Sequence, residues 1–260
     1  MTAAQGSHRL ADIVAKLDRG REHLERFKDE CQGFLMGPPK PYEIIEERQV
    51  DGGEVFDIFT IKISEQPPSS LSLAAGDFLQ NMRSALDYMI YALTEANLGK
   101  PPPSNLGRDI GFPIAMRIEE FEPKKIRAVP PNVVTIIEGL QPYHGANPDH
   151  HDLAILHRMA NIDKHRFLHL GLLAMRSTNW WDETAELVGS IGRTPLKDGA
   201  EIARFHWRTA PELGMKVNPG IAIHVIFADS PPHVLGAVGT LGGIDLTVRE
   251  RVLKRLNPFL

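Results

Sequence analysis

The sequence has little cysteine and none of the short signatures that announce a familiar chemistry. Cys31 is its only cysteine, so no disulfide can close within the chain and no cysteine-built zinc site can form. That composition fits a reducing cytoplasm, the expected location. No apolar run approaches the roughly 20 residues that span a bilayer. The opening stretch MTAAQGSHRLADIV has neither the basic start nor the continuous apolar core of a signal peptide. No membrane partner is therefore expected. Charge of one sign is not in excess: the net charge is -4 and the pI is near 6.3. Such a chain has no overall pull toward nucleic acid or anionic lipid, although a local basic patch stays open.

Phosphate-binding loops of the Walker type, a Gly-x-Gly-x-x-Gly turn after a strand, a Gly-x-Ser-x-Gly elbow and a His-Glu-x-x-His pair are all missing. GTLGG at Gly239–Gly243 is expected to be a turn before a helix. Cys31 is expected to be a small core residue rather than a nucleophile. NWWDE at Asn179–Glu183 is expected to cover a sheet edge, with a stacking surface for a base as the sharper alternative. No cofactor is implied.

What is present is ordinary in bulk: 260 residues, 42% hydrophobic and 24% charged, enough for one large domain or two small ones. Leu10, Ile13, Val14, Leu17, Leu24, Phe27 and Cys31 fall mostly at three- and four-residue spacings, which predicts a helix from Ser7 to about Phe34. YEIIEERQV and VFDIFTIKI flank DGGE, a β-hairpin over residues 42–64. A second long helix is expected from about Leu71 to Asn97, with shorter ones at Arg117–Arg127 and Pro131–Leu140.

Asn147 followed by Pro148 reads as an N-cap and first helical position, opening a helix to Phe167. Beyond it, FLHLGLLAM fits either more helix or a buried strand. AELVGSI, EIARFHW and GIAIHVIFA read as strands, and IDLTVRERVLKRL as a closing helix. These elements make one α+β domain over 1–260: two long motif-bearing helices and shorter ones packed on a sheet from the hairpin and the C-terminal strands. A subdivision would fall between a mainly helical 1–166 and a mainly β 167–260.

The unusual stretch is NIDKHR, Asn161–Arg166, inside an otherwise apolar helical pattern. At about 100° per residue, His157, Arg158, Lys164 and His165 lie within about 60° of Asn161 and form one polar stripe. Leu153, Leu156, Ala160 and Phe167 flank it on one side; Ile155, Met159 and Ile162 flank it on the other. Asp163 falls opposite, among apolar positions. A carboxylate there needs a partner. NMRSALDY, on the second long helix, offers Arg83 and Asp87 at i and i+4, with Asn81 and Tyr88 on another edge. The expected polar centre is therefore Asn81, Arg83, Asp87 and Tyr88 against Asn161, Asp163, Lys164 and Arg166. Its plainest role is a hydrogen-bonded network that holds helix register.

NMRSALDY, FPI at Phe112–Ile114, LQPY at Leu140–Tyr143 and NIDKHR resemble a group of bacterial proteins of unassigned activity. In that group the first motif commonly reads Asn-x-Arg-x-x-Leu-Asp-His. The similarity runs from about Gly76 to Arg166, and it implies shared architecture. Arg158 and His165 also resemble the Arg and His that HEPN-type proteins carry on one helix. That resemblance implies a metal-independent ribonuclease, with His165 and Arg158 catalytic, RNA as partner and a homodimer around the site. It departs at Met159, where that family has a polar residue, at Tyr88 in place of His, and in the β-structure. Two further readings stand beside it. One is a non-catalytic binding module with an apolar pocket near Tyr88, Trp180 or Trp181. The other is a metal site at His157, His165 and His169, the last two at i and i+4 if the helix continues.

Overall fold

A computed structural model describes residues 3–176, 184–189, 194–229 and 236–260. The NWWDE stretch, Asn179–Glu183, lies outside the described residues. The protein is α+β: helices, an antiparallel sheet that joins the N-terminal hairpin to C-terminal strands, and a second, two-stranded sheet. The chain folds into two compact units. One comprises Met1–Lys28, Ser70–Leu168 and Val238–Leu260; the other comprises Asp29–Ser69 and His169–Ala237. No helix among the described residues is long and apolar enough to cross a membrane.

In chain order the elements are α1 (Ala3–Met36), β1 (Tyr42–Asp51), β2 (Glu54–Ile63), α2 (Ser69–Leu98) and the short α3 (Ser104–Gly107). Then come α4 (Pro131–Glu138), α5 (Asp152–His165), β3 (Leu170–Arg176), β4 (Ala185–Leu187), β5 (Glu201–Trp207), β6 (Ile221–Phe227), α6 (Ala237–Leu246) and α7 (Lys254–Leu256).

The helical unit is built on apolar stripes. Ile13, Leu17, Leu24 and Phe27 of α1 are buried, as are Phe78, Met82, Leu86, Met89 and Leu93 of α2. Both sets recur at helical spacing, so one face of each helix is removed from water. α5 buries Leu153, Leu156, Met159 and Ala160. Ser72 at the start of α2 donates to the Leu168 carbonyl at 2.8 Å, which ties down the segment after α5.

The β unit has strand order β1-β2-β5-β4, all antiparallel. The hairpin turn works because Gly52 and Gly53 adopt φ of 59° and 89°, values that side chains resist. Its register sets Arg48 opposite Asp57. Asp57 is fully buried and takes two hydrogen bonds from the Arg48 guanidinium, at 2.7 and 2.9 Å. The same guanidinium lies 5.2 Å from the Trp207 ring centre and donates to the Met215 carbonyl. Phe59 meets Phe205 edge-on, with ring centres 5.7 Å apart. β3 pairs with β6 in the second sheet.

Several local expectations need correcting. The helix expected from Pro148 begins later. Pro148–His150 form a 3-10 turn, and His151 caps α5 by accepting from the Leu153 N–H at 3.2 Å. Asn147 makes no side-chain cap. α5 ends at His165 because Arg166 turns to extended backbone (φ -161°), and FLHLGLLAM resolves into β3. Arg117–Arg127 is not one helix: Pro123 lacks the N–H to continue a helix and divides it into 3-10 turns at Ile118–Glu120 and Pro123–Ile126. GTLGG is no turn; it lies within α6, where Gly243 sits against the Asp152 carboxylate. α6 runs into a π-helical stretch, Thr247–Leu253, before α7.

Candidate functional site

Arg83 and Asp87 of NMRSALDY and Gln141 of LQPY converge on one short segment, Phe112–Ala115. Arg83 donates through Nη2 to Asp87 Oδ1 (2.9 Å) and to the Phe112 carbonyl (2.8 Å). Asp87 Oδ1 accepts from the Phe112 N–H at 2.9 Å. One ion pair on α2 thus holds both backbone groups of a single buried residue. At the other end, the buried Gln141 side chain accepts from the Ala115 N–H (3.0 Å) and donates to the Ile137 carbonyl (2.9 Å). A segment without helix or sheet bonds has its backbone paired by side chains instead.

The sequence-predicted centre divides into separate parts. Asp163 is half-buried and accepts from Gln80 Nε2 at 3.2 Å, not from Arg83, which is committed to Phe112. It packs on Gly76 so closely that a Cβ there would lie 2.8 Å from its Cγ and 3.0 Å from Oδ2. Asn81 bonds its own helix at the Asp77 carbonyl (2.7 Å). Asn161 bonds His157 at 3.2 Å. Asn161, Lys164 and His165 are exposed and His157 and Arg158 half-buried, so the C-terminal part of the polar stripe of α5 faces water. Phe167, expected on an apolar flank, is 63% exposed, since the helix has already ended.

Concavities among the described residues mark the unit. The first, about 450 Å³, is lined by Ile13, Tyr88, Tyr91, Ala92 and Ile110, with Arg9, Asp12, Asp87 and Glu95 among its polar groups. Tyr88 and Tyr91 are 45% and 41% exposed and neighbour each other at i and i+3. Arg9 Nε is 2.7 Å from Glu95, and Lys16 Nζ lies 5.8 Å from the Tyr88 ring centre.

The second concavity, about 260 Å³, is lined by Arg83, Phe112, Met116, Lys125 and His157, among others. Burial, then the Arg83, Lys125 and Lys164 charges, lowers the His157 pKa below its usual value; Asp87 opposes them. The third is a shallow depression of about 450 Å³ lined by Met116, His157, Arg158, Asn161, His165 and Arg166. Arg158 is held by Asp149 at 2.9 Å.

His165 and His169 do not form a helical i,i+4 pair, because α5 stops at His165. His169 instead has Nδ1 3.4 Å from Asp229 in the β unit. Among the described residues, no group of three or more His, Cys, Asp or Glu could hold a metal ion. Cys31 is buried, which pushes its thiol up to about 12. A thiol held protonated is a poor nucleophile.

Residue types and spacing did not point to the tyrosine cleft as a whole. Tyr88 was singled out, but Tyr91 was not, although its i,i+3 relation to Tyr88 was legible. The second cleft needed Lys125 and the Met116 segment, which only the fold brings to Arg83. The chain matches no protein-family model, no curated protein and no solved structure.

Proposed function

We propose that the helical unit is a non-catalytic binding module for a small organic molecule, with its site in the cleft at Tyr88 and Tyr91. The observation that carries this is the cleft itself. Its volume of about 450 Å³ falls within the usual range for small-ligand sites, and two neighbouring tyrosines stand partly exposed on its wall. Ile13, Ala92 and Ile110 supply an apolar surface. A flat ring stacking on a tyrosine gains contact without ordering flexible side chains. Asp12, Asp87 and Glu95 outnumber Arg9 among the charged lining residues, which favours a ligand that is neutral or carries an amine over an acid.

The test is ligand-observed NMR with aromatic amines such as benzylamine, against benzoate as the oppositely charged control. Saturable binding of the amine, lost in Tyr88→Ala and Tyr91→Ala variants of unchanged thermal stability, supports the reading. Equal binding of amine and acid, or binding that survives both variants, rejects it.

A second reading is favoured by the third concavity, where Arg158 and His165 share one exposed surface with Arg166. In it the α5 stripe contacts RNA, with a homodimer around the site and His165 and Arg158 as the cleaving pair. Seven positions of helix separate their Cα atoms by about 10 Å, and Asp149 already engages Arg158. Joint action at one phosphate therefore requires both side chains to reach toward each other and Arg158 to leave Asp149. RNA incubated in excess EDTA with wild type and a folded His165→Ala variant decides it: cleavage by the first alone establishes the nuclease, and cleavage by neither removes it.

A further inference from the structure

We propose that the cleft between Arg83, Lys125 and His157 is a separate site for a small carboxylate with a short apolar body. This inference does not depend on the reading of the tyrosine cleft, and its lining is distinct.

The first ground is an unmet donor. Arg83 keeps only 17% of its side chain accessible. Nη2 serves both Asp87 and the Phe112 carbonyl, while Nη1 is buried with no hydrogen-bond partner. Native structures rarely leave a buried guanidinium N–H idle. The same side chain lines a cleft of about 260 Å³.

The second ground is the company it keeps. Lys125 and His157 line the same space, and both can donate to an anion's oxygens. Burial first, and then the Arg83, Lys125 and Lys164 charges, disfavours a proton on His157, with Asp87 opposing them. The three cations, unlike the burial, also favour an anion.

The third ground selects the anion. Glu120 and Glu122 also line the cleft. Glu120 is engaged by Arg117, and Glu122 lies 2.6 Å from Lys125. Each of these carboxylates thus has its own cation, and the cleft keeps little positive excess. That balance accommodates one added negative charge more readily than the two of a phosphate dianion. Pro113, Ile114 and Met116 complete the lining with apolar surface, suited to an alkyl tail. One oxygen would take the Arg83 guanidinium, and the other would take Lys125 or His157.

Binding should then favour protonation of His157, because the added charge offsets the cations around it. Affinity is expected to rise several-fold from about pH 8 to about pH 5.5, a range in which the carboxylate remains ionised.

The test is a titration of the whole chain with sodium acetate and sodium butyrate. The His157 ring is followed by ¹⁵N-edited NMR, with inorganic phosphate and sodium chloride as controls at matched ionic strength. The expected result is saturable binding with Kd of about 10 mM or tighter, butyrate above acetate and phosphate weaker. Lys125→Ala should weaken it at least several-fold, and His157→Gln should abolish its pH dependence, followed there through the Arg83 side-chain resonances. Arg83→Gln is the more direct variant but also removes the clamp on Phe112, so Lys125→Ala keeps the test independent of folding. A non-saturable response, phosphate binding as tightly as acetate, or full affinity in Lys125→Ala would each overturn the assignment.

Discussion

Gly76→Ala should destabilise the helical unit, although the same change in an ordinary helix interior stabilises it. Replacing glycine by alanine there normally gains about 0.5–1 kcal/mol, because the unfolded chain loses freedom and the helix prefers alanine. At Gly76 the new Cβ would meet the whole Asp163 carboxylate, 2.8 Å from Cγ and 3.0 Å from Oδ2. Asp163 must then swing away and give up its 3.2 Å bond from Gln80. A hydrogen bond to a charged group contributes about 1.5–3 kcal/mol, less here because Asp163 is only half-buried. Forcing an extra methyl into a packed site costs about 1–3 kcal/mol. Setting the gain against these losses leaves a net destabilisation of about 1–2 kcal/mol.

The assay is urea unfolding followed by far-UV circular dichroism, comparing midpoints at unchanged m-value. The decisive comparison adds Asp163→Ala. With the carboxylate gone the clash disappears, so the double variant should be more stable than the sum of the singles by about 1 kcal/mol or more. A stabilised Gly76→Ala, or two effects that add within about 0.5 kcal/mol, would refute the close packing of α2 on Asp163.

Arg48→Met should cost about 3 kcal/mol in urea unfolding, because it leaves fully buried Asp57 without its counter-charge; adding Asp57→Leu should recover most of that loss. His151, His157 and His224 all have pKa values lowered mainly by burial from the ordinary 6.5. Unfolding raises their proton affinity, so stability is full above about pH 6.5 and falls as the pH drops from there toward the lowered folded-state values. Tm measured from pH 8 to 5 should follow that sign, and a Tm rising on acidification would contradict it. Cys31, with its thiol pushed up to about 12, should react with an aromatic disulfide reagent only as urea unfolds the chain. Rapid reaction in native buffer would show the burial to be wrong.

The elements that carry their own signal were legible. DGGE between alternating segments named the hairpin, and apolar stripes located α1 and α2. The Arg48–Asp57 pair was within reach too: counting outward from the turn sets them opposite each other. Periodicity placed the polar stripe of α5, but a helical wheel does not say which face meets water. The stripe was assigned to the interior, whereas its Asn161, Lys164 and His165 lie outside. Arg83 and Asp87 were paired from their spacing, whereas their shared target is the backbone of Phe112, 29 and 25 positions away. No side-chain pattern records a backbone target, so that clamp emerged only from the fold. Gly76 illustrates the same limit, since a close approach leaves no mark beyond a single missing methyl.

The clamp on Phe112–Ala115 also makes that segment an unusual reporter. The Phe112 and Ala115 amides are bonded to carboxylate and carboxamide oxygens from α2 and from beyond α4, not to a helix or strand of their own. Solvent deuterium can reach them only when those distant side chains let go. In exchange experiments these two amides should therefore open together with the assembly of helices around them, and stay closed while individual helix ends fray. They measure whether the helices are joined, where most protected amides measure only whether each is wound.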